Sequence, residues 1–172
     1  MSAPGEDIEV AAATTVDDEL VAAFGRLIPQ LSRSAAVPTG EVLGEILRSP
    51  CNTVLVARDL RDDGRIVGTL TLVVFRIPTG VRAWIEDVVV DETTRGRGVG
   101  EALSRDAIRR AVEQGARTIE LTSRSSREAA NRLYGERTGT VHASPTSPPV
   151  AAETDTAAEP GHTAGAASPA VG

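Results

Sequence analysis

Apolar residues recur along this chain in two rhythms, helical and strand-like, and the order in which the rhythms alternate predicts a mixed α/β domain. Ile8-Glu9-Val10-Ala11-Ala12 reads as a short opening strand. Thr15 and Asp18 have capping-box spacing, and Leu20, Val21, Phe24, Leu27 and Ile28 then line one helical face, which Pro29 is expected to end. A shorter helix is predicted after Thr39, with Val42, Leu43, Ile46 and Leu47 on its apolar face and Pro50 just past its end.

Strand signals follow. Thr53 to Ala57 is rich in β-branched residues, Asp63-Gly64 supplies turn chemistry, and Ile66 to Phe75 resumes a long apolar strand, so the two read as a hairpin. Pro78-Thr79-Gly80 turns the chain into a third strand, Ala83 to Val90, whose closing apolar run implies burial on both faces of a sheet. From Gly98 onward Val99, Leu103, Ile108, Ala111 and Val112 mark a helix that stops at Gln114-Gly115, with glycine in the favoured position after the cap. Thr118 to Thr122 is the next strand, and Ser125 with Glu128 opens a further helix through Ala129, Ala130, Leu133 and Tyr134.

From Thr138 to Gly172 the composition turns to Ala, Pro, Thr, Ser and Gly, with Val141, Val150 and Val171 as the only larger aliphatics. So little apolar area cannot offset the entropy of ordering, and a disordered tail is expected there. Residues 1–137 are the expected folded domain and residues 138–172 the tail. The formal net charge is -6, and the 18 basic residues are all arginine, scattered among carboxylates with none beyond Arg137. No basic patch marks a nucleic-acid partner, no apolar run approaches a membrane span, and the acidic N-terminus lacks a leader pattern, so a cytoplasmic location is expected. Cys51 is the single cysteine and His142 and His162 the only histidines, which excludes an internal disulfide and argues against a zinc site. Cys51 is expected to be a small buried residue or a bystander.

The chemistry concentrates in the stretch from Ile85 to Leu103, which runs strand, turn, glycine-rich loop, helix. Glycines let the backbone turn tightly and approach a ligand, and the unsatisfied amides of a helix start favour anions, so a pyrophosphate is the natural guest. A P-loop requires a lysine after its last glycine, and this chain has none. A dinucleotide fingerprint counted from Gly96 and Gly98 places Glu101 where the third glycine belongs.

What remains is R-x-x-G-x-G, met by Arg95, Gly98 and Gly100 after a valine-rich strand, and this resembles the acetyl-CoA loop of the GNAT superfamily of N-acetyltransferases. The resemblance extends over roughly residues 8 to 134, and the string Ile85 to Val90 is similar to the corresponding strand of glucosamine-6-phosphate N-acetyltransferases. It implies a GNAT fold, a mixed central sheet flanked by helices, with acetyl-CoA as cosubstrate and no metal. The backbone amides of Arg95, Gly96, Arg97, Gly98, Val99 and Gly100 would hold the pyrophosphate. The main chain at Val88, Val89 and Val90 would pair with the pantetheine arm where this strand splays from Thr118 to Thr122. The side chains of Arg95 and Arg97 would either add charge contacts to the phosphates or stay solvated.

Acetylating an amine requires its free base, a deficit of about 4 kcal/mol for an alkyl ammonium at neutral pH. Glu86 is the candidate base; strand alternation puts it on the face of Trp84 and Val88, with Asp87 opposite. Tyr134 ends Ala130-Asn131-Arg132-Leu133-Tyr134, which resembles the family's A-x-x-L-Y and would place a phenol where it can protonate the leaving thiolate. Two departures stand out. Arg127 occupies a position where the family often has a CoA-contacting asparagine, and after Tyr134 nothing reads as the two strands that normally complete the sheet. Acetyl transfer to a primary amine of a small molecule or a protein N-terminus is therefore the expected activity, with a catalytically impaired CoA-binding remnant as the alternative.

Overall fold

The computed structural model describes residues 7–121. Within them the chain builds β1 (Ile8–Ala12), α1 (Asp18–Leu31), α2 (Gly40–Arg48), β2 (Asn52–Asp59), β3 (Arg65–Ile77), β4 (Gly80–Val90), a short 3-10 turn at Glu92–Thr94, α3 (Val99–Glu113) and β5 (Ala116–Leu121). The predicted helix at Ser125 to Tyr134, the boundary near residue 137 and the tail lie outside the described residues.

The strands form one sheet in the order β1-β2-β3-β4-β5. The first four are joined antiparallel, while β4 and β5 run parallel, joined by α3 as the crossover. The sheet is covered on both sides. Leu70, Leu72, Ala83, Ile85 and Val88 pack against Val99, Leu103, Ala107 and Ala111 of α3. On the opposite face Val54, Val56, Ile66 and Val89 pack against Leu20, Phe24 and Leu27 of α1 and Leu43 of α2. The consecutive residues Val88 and Val89 thus enter different cores, as the apolar run at the end of this strand requires.

Two helix boundaries differ from the sequence expectation. α1 is capped by Asp17, whose side chain accepts from the Leu20 amide at 2.7 Å, rather than by Thr15. It also runs through Pro29 to Leu31. A proline inside a helix costs roughly 3 kcal/mol, but burial of large side chains such as Leu27 and Ile28 contributes about 1.5–3 kcal/mol each and holds the last turn in register. Thr39 caps α2 as predicted, its hydroxyl accepting from the Val42 amide at 3.3 Å. α3 ends at Gln114, followed by Gly115 at φ 82°. Val112, expected on its apolar face, is exposed, and so is the free thiol of Cys51.

The five-residue β2–β3 connection closes with Asp63 and Gly64 at φ 51° and 72°, conformations that aspartate and glycine tolerate. Gly68 on β3 has no room for a side chain. A Cβ there would stand 2.9 Å from Val99 Cγ1, 3.1 Å from the Val89 carbonyl oxygen and 3.2 Å from Leu103 Cδ1. That missing methyl is what lets the first turn of α3 lie directly on the sheet.

Candidate functional site

β4 is not a regular strand. Thr71 pairs with Glu86 and Thr69 with Val89, so Asp87 and Val88 together oppose the single residue Leu70. This is a β-bulge, and Asp87 sits in it at φ 50°, a conformation that aspartate tolerates better than most residues. The bulge corrects the simple alternation. Glu86 and Val89 oppose Thr71 and Thr69, which share one face of β3, so Glu86 lies on the face of Trp84 and Val89, the α1/α2 side. Val88 points the other way, into the α3 core beside Ile85. Glu86 is half-buried and Asp87 exposed.

Among the described residues, the parallel ladder between β4 and β5 runs from Val81↔Ala116 to Ile85↔Leu121, and β4 itself extends through Glu86 to Val90. Where β4 ends, Asp91 caps the 3-10 turn, and the glycine-rich loop leads into α3. Gly96 and Gly98 both adopt positive φ, 78° and 81°. Nothing lies within 4 Å of the place where a Cβ on Gly96 would stand. Gly98 is the N-cap of α3 and offers no side-chain cap. The Ala102 amide makes the first turn's bond to the Gly98 carbonyl at 2.9 Å, so the preceding amides have no intrahelical acceptor. Gly100 rests near Val90, whose Cγ2 would be 3.6 Å from a Cβ at that position.

The two loop arginines part company. Arg95 is exposed and, with Gln30, Arg33 and Glu92, lines a cleft of about 380 Å³ at the C-terminal end of α1. Arg97 makes a two-pronged ion pair with Asp59, Nη1 to Oδ2 at 2.5 Å and Nη2 to Oδ1 at 2.9 Å. Asp59 is only 2% exposed. The Arg97 guanidinium, reinforced by the Arg61 amide, holds the Asp59 carboxyl below the usual aspartate range against the opposing effect of burial. Asp91 is pushed up by burial but ends below its usual value, because the Thr93 amide and hydroxyl donate to it and Arg65 stands nearby. Sequence reasoning did not single out Asp59 as a site residue. It stands 38 residues from Arg97, and no local pattern marks the pair. Tyr134 lies outside the described residues.

Residues 17–140 match the model of the acetyltransferase (GNAT) family. No curated protein matches the sequence. Among solved structures, an acetyltransferase from Trypanosoma brucei is 26% identical, with a TM-score of 0.61 over 79% of this chain and 96% of that one. Glucosamine-6-phosphate N-acetyltransferase from Arabidopsis thaliana shares the fold at 19% identity and a TM-score of 0.61, over 81% and 98% of the two chains. Ribosomal-protein-alanine N-acetyltransferase from Brucella melitensis does so at 19% and 0.59, over 80% and 95%. With a mixed sheet, a bulged fourth strand and a glycine-rich entry to α3 in place, and the family model covering most of its length, the chain belongs to the GNAT acetyltransferase family.

Proposed function

We propose that this chain is an acetyl-CoA-dependent N-acetyltransferase that passes the acetyl group directly to a primary amine, on a small molecule or a protein N-terminus, in the cytoplasm. One observation carries the reading: Gly96 and Gly98 stand at positive φ where β4 gives way to α3, opening a 15-residue helix whose first amides lack a side-chain cap.

Acetyl-CoA fits the residues present. Open space at Gly96 and an uncapped helix start offer N–H donors and a favourable dipole to a pyrophosphate. The amides of Gly98, Val99 and Gly100 are the donors, with Arg95 near enough in the loop to add charge. Arg97 is spent on Asp59 and acts on the loop rather than on the phosphates. The main chain of Val88 to Val90, leading into the loop, is the pantetheine edge.

Bound acetyl-CoA supplies the acetyl group as an activated thioester. Glu86, on the α1/α2 face, takes a proton from the acceptor ammonium directly or through a water, which offsets a deficit of about 4 kcal/mol. With α3 packed on the other face, a cofactor held at the start of α3 and an amine beside Glu86 would be brought together along β4, as direct transfer needs. Tyr134 is the proposed proton donor to the leaving thiolate, on its sequence motif.

The test is calorimetric titration with acetyl-CoA beside a released-thiol screen over a panel of amines. Micromolar binding with turnover of at least one amine is expected. Binding without turnover of any amine would leave a CoA-binding domain, and no binding by folded protein would remove the reading.

A further inference from the structure

The β2–β3 turn and the glycine-rich loop are far apart in sequence yet joined at two points by buried carboxylates. Asp59, the last residue of β2, uses both carboxylate oxygens on Arg97, and its Oδ1 also accepts from the Arg61 amide at 3.1 Å. Its own carbonyl accepts from the Asp62 and Gly64 amides at 3.1 and 3.0 Å, closing the turn. At the other end of the β4–α3 connection, Asp91 faces Arg65 Nη2 at 3.4 Å, and Arg65 also reaches Asp62 at 3.4 Å.

Arg97 occupies the place where an anchor matters most. It lies between Gly96 and Gly98, the two positions of freest backbone, and its own amide makes only a long contact, 3.4 Å, to the Thr94 carbonyl. A phosphate cradle made of glycine backbone loses affinity to the entropy of ordering unless something orders it beforehand. A planar guanidinium held by two bonds on a buried carboxylate restricts both the position and the orientation of the loop, which a single ammonium contact cannot do.

We propose that Asp59 and Arg97 form a latch that pre-orders the 95–100 loop, so that the β2–β3 turn sets the affinity for acetyl-CoA. Both are positioning residues: they touch the loop and each other, and the loop's amides touch the ligand. The inference rests on the reading of that loop as the pyrophosphate cradle.

The experiment titrates coenzyme A into the full chain and into D59N, R97K and the D59N/R97K double variant, with L27V in the α1 core as a control for general destabilisation. D59N and R97K should each weaken binding about tenfold, and the double variant should lose no more than the worse single one, since both break one interaction. The KM for acetyl-CoA should rise while kcat at saturation and the KM for the amine stay within about threefold. L27V should lower Tm without moving the affinity. Faster amide exchange at residues 96–100 in ligand-free D59N would report the lost order without any ligand. If D59N fails to fold, R97K carries the test, because it keeps the charge and removes only the second bond. Folded D59N or R97K with the full chain's affinity would overturn the latch alone, as would losses that multiply in the double variant. A full chain that binds no coenzyme A would overturn the latch and the cradle together.

Discussion

Val99 Cγ1 lies 2.9 Å from the point that a Cβ on Gly68 would occupy, so the helix that opens the candidate phosphate site is seated on the one residue of β3 that cannot hold it away. The Val89 carbonyl and Leu103 close the remaining space at 3.1 and 3.2 Å. Gly68→Ala must therefore shift α3 or the strand beneath it. Overpacking of this kind costs about 1–3 kcal/mol, and a fall in Tm on the order of 5 °C is expected, with weaker coenzyme A binding as the helix start moves. A thermal melt and a titration indistinguishable from wild type would show that the contact yields freely.

Gly98 separates backbone strain from charge. Its φ of 81° costs any L-residue roughly 1–2 kcal/mol, so Gly98→Ala and Gly98→Glu should lower Tm by similar amounts. Only Gly98→Glu adds a negative charge in the field intended for pyrophosphate, and it alone should abolish acetyl-CoA binding in calorimetry while circular dichroism stays native. Equal affinities for the two variants would take the pyrophosphate away from this helix start.

The bulge makes Asp87 a clean control for Glu86. Glu86→Gln should lower turnover most near neutral pH and least at high pH, where the amine is already deprotonated. Asp87→Asn keeps a residue that accepts positive φ and should leave the profile in place. Asp87→Val puts a β-branched side chain at φ 50°, and kcat should fall with it as the bulge that separates Glu86 from Val88 is lost. A pH profile merely scaled down by Glu86→Gln would move the base elsewhere.

Asp59, Asp91 and Asp106, the last raised by burial but held lower by Arg110 and Arg109 on α3, all titrate below the ordinary aspartate value in the fold. The unfolded chain therefore takes up protons first as the solution is acidified. Their stabilisation is fully present above about pH 4 and drains away as pH falls through that value toward the lower folded pKa. Asp59→Asn should lower Tm at neutral pH and flatten its acid limb. An acid limb of undiminished slope would show that Asp59 carries no share of the linkage.

Local patterns in the sequence determined the elements. Thr39 as a cap, Gly115 after α3, the Asp63-Gly64 turn and the R-x-x-G-x-G entry to a helix all depend on neighbours within a few residues, and each stands where its pattern places it. The double burial of the Val88 to Val90 run was legible for the same reason, since an unbroken apolar run has no polar side to give to water.

Only the tertiary structure decided how those elements present their chemistry. Strand alternation assigned Glu86 to the face of Val88, but the bulge at Asp87 inserts one residue against Leu70 and reverses the alternation beyond it, an effect of pairing with β3 that β4 alone does not encode. Pro29 reads as a stop, yet contacts of Leu27 and Ile28 with the sheet outweigh its local cost and carry α1 to Leu31. Arg97 reads as a phosphate ligand or a solvated loop residue, and sequence gives no hint that folding brings Asp59 from the end of β2 to pair with it. A carboxylate and a guanidinium 38 residues apart carry no mutual signal in sequence; only the fold buries Asp59, and a buried carboxylate is costly to leave without its partner.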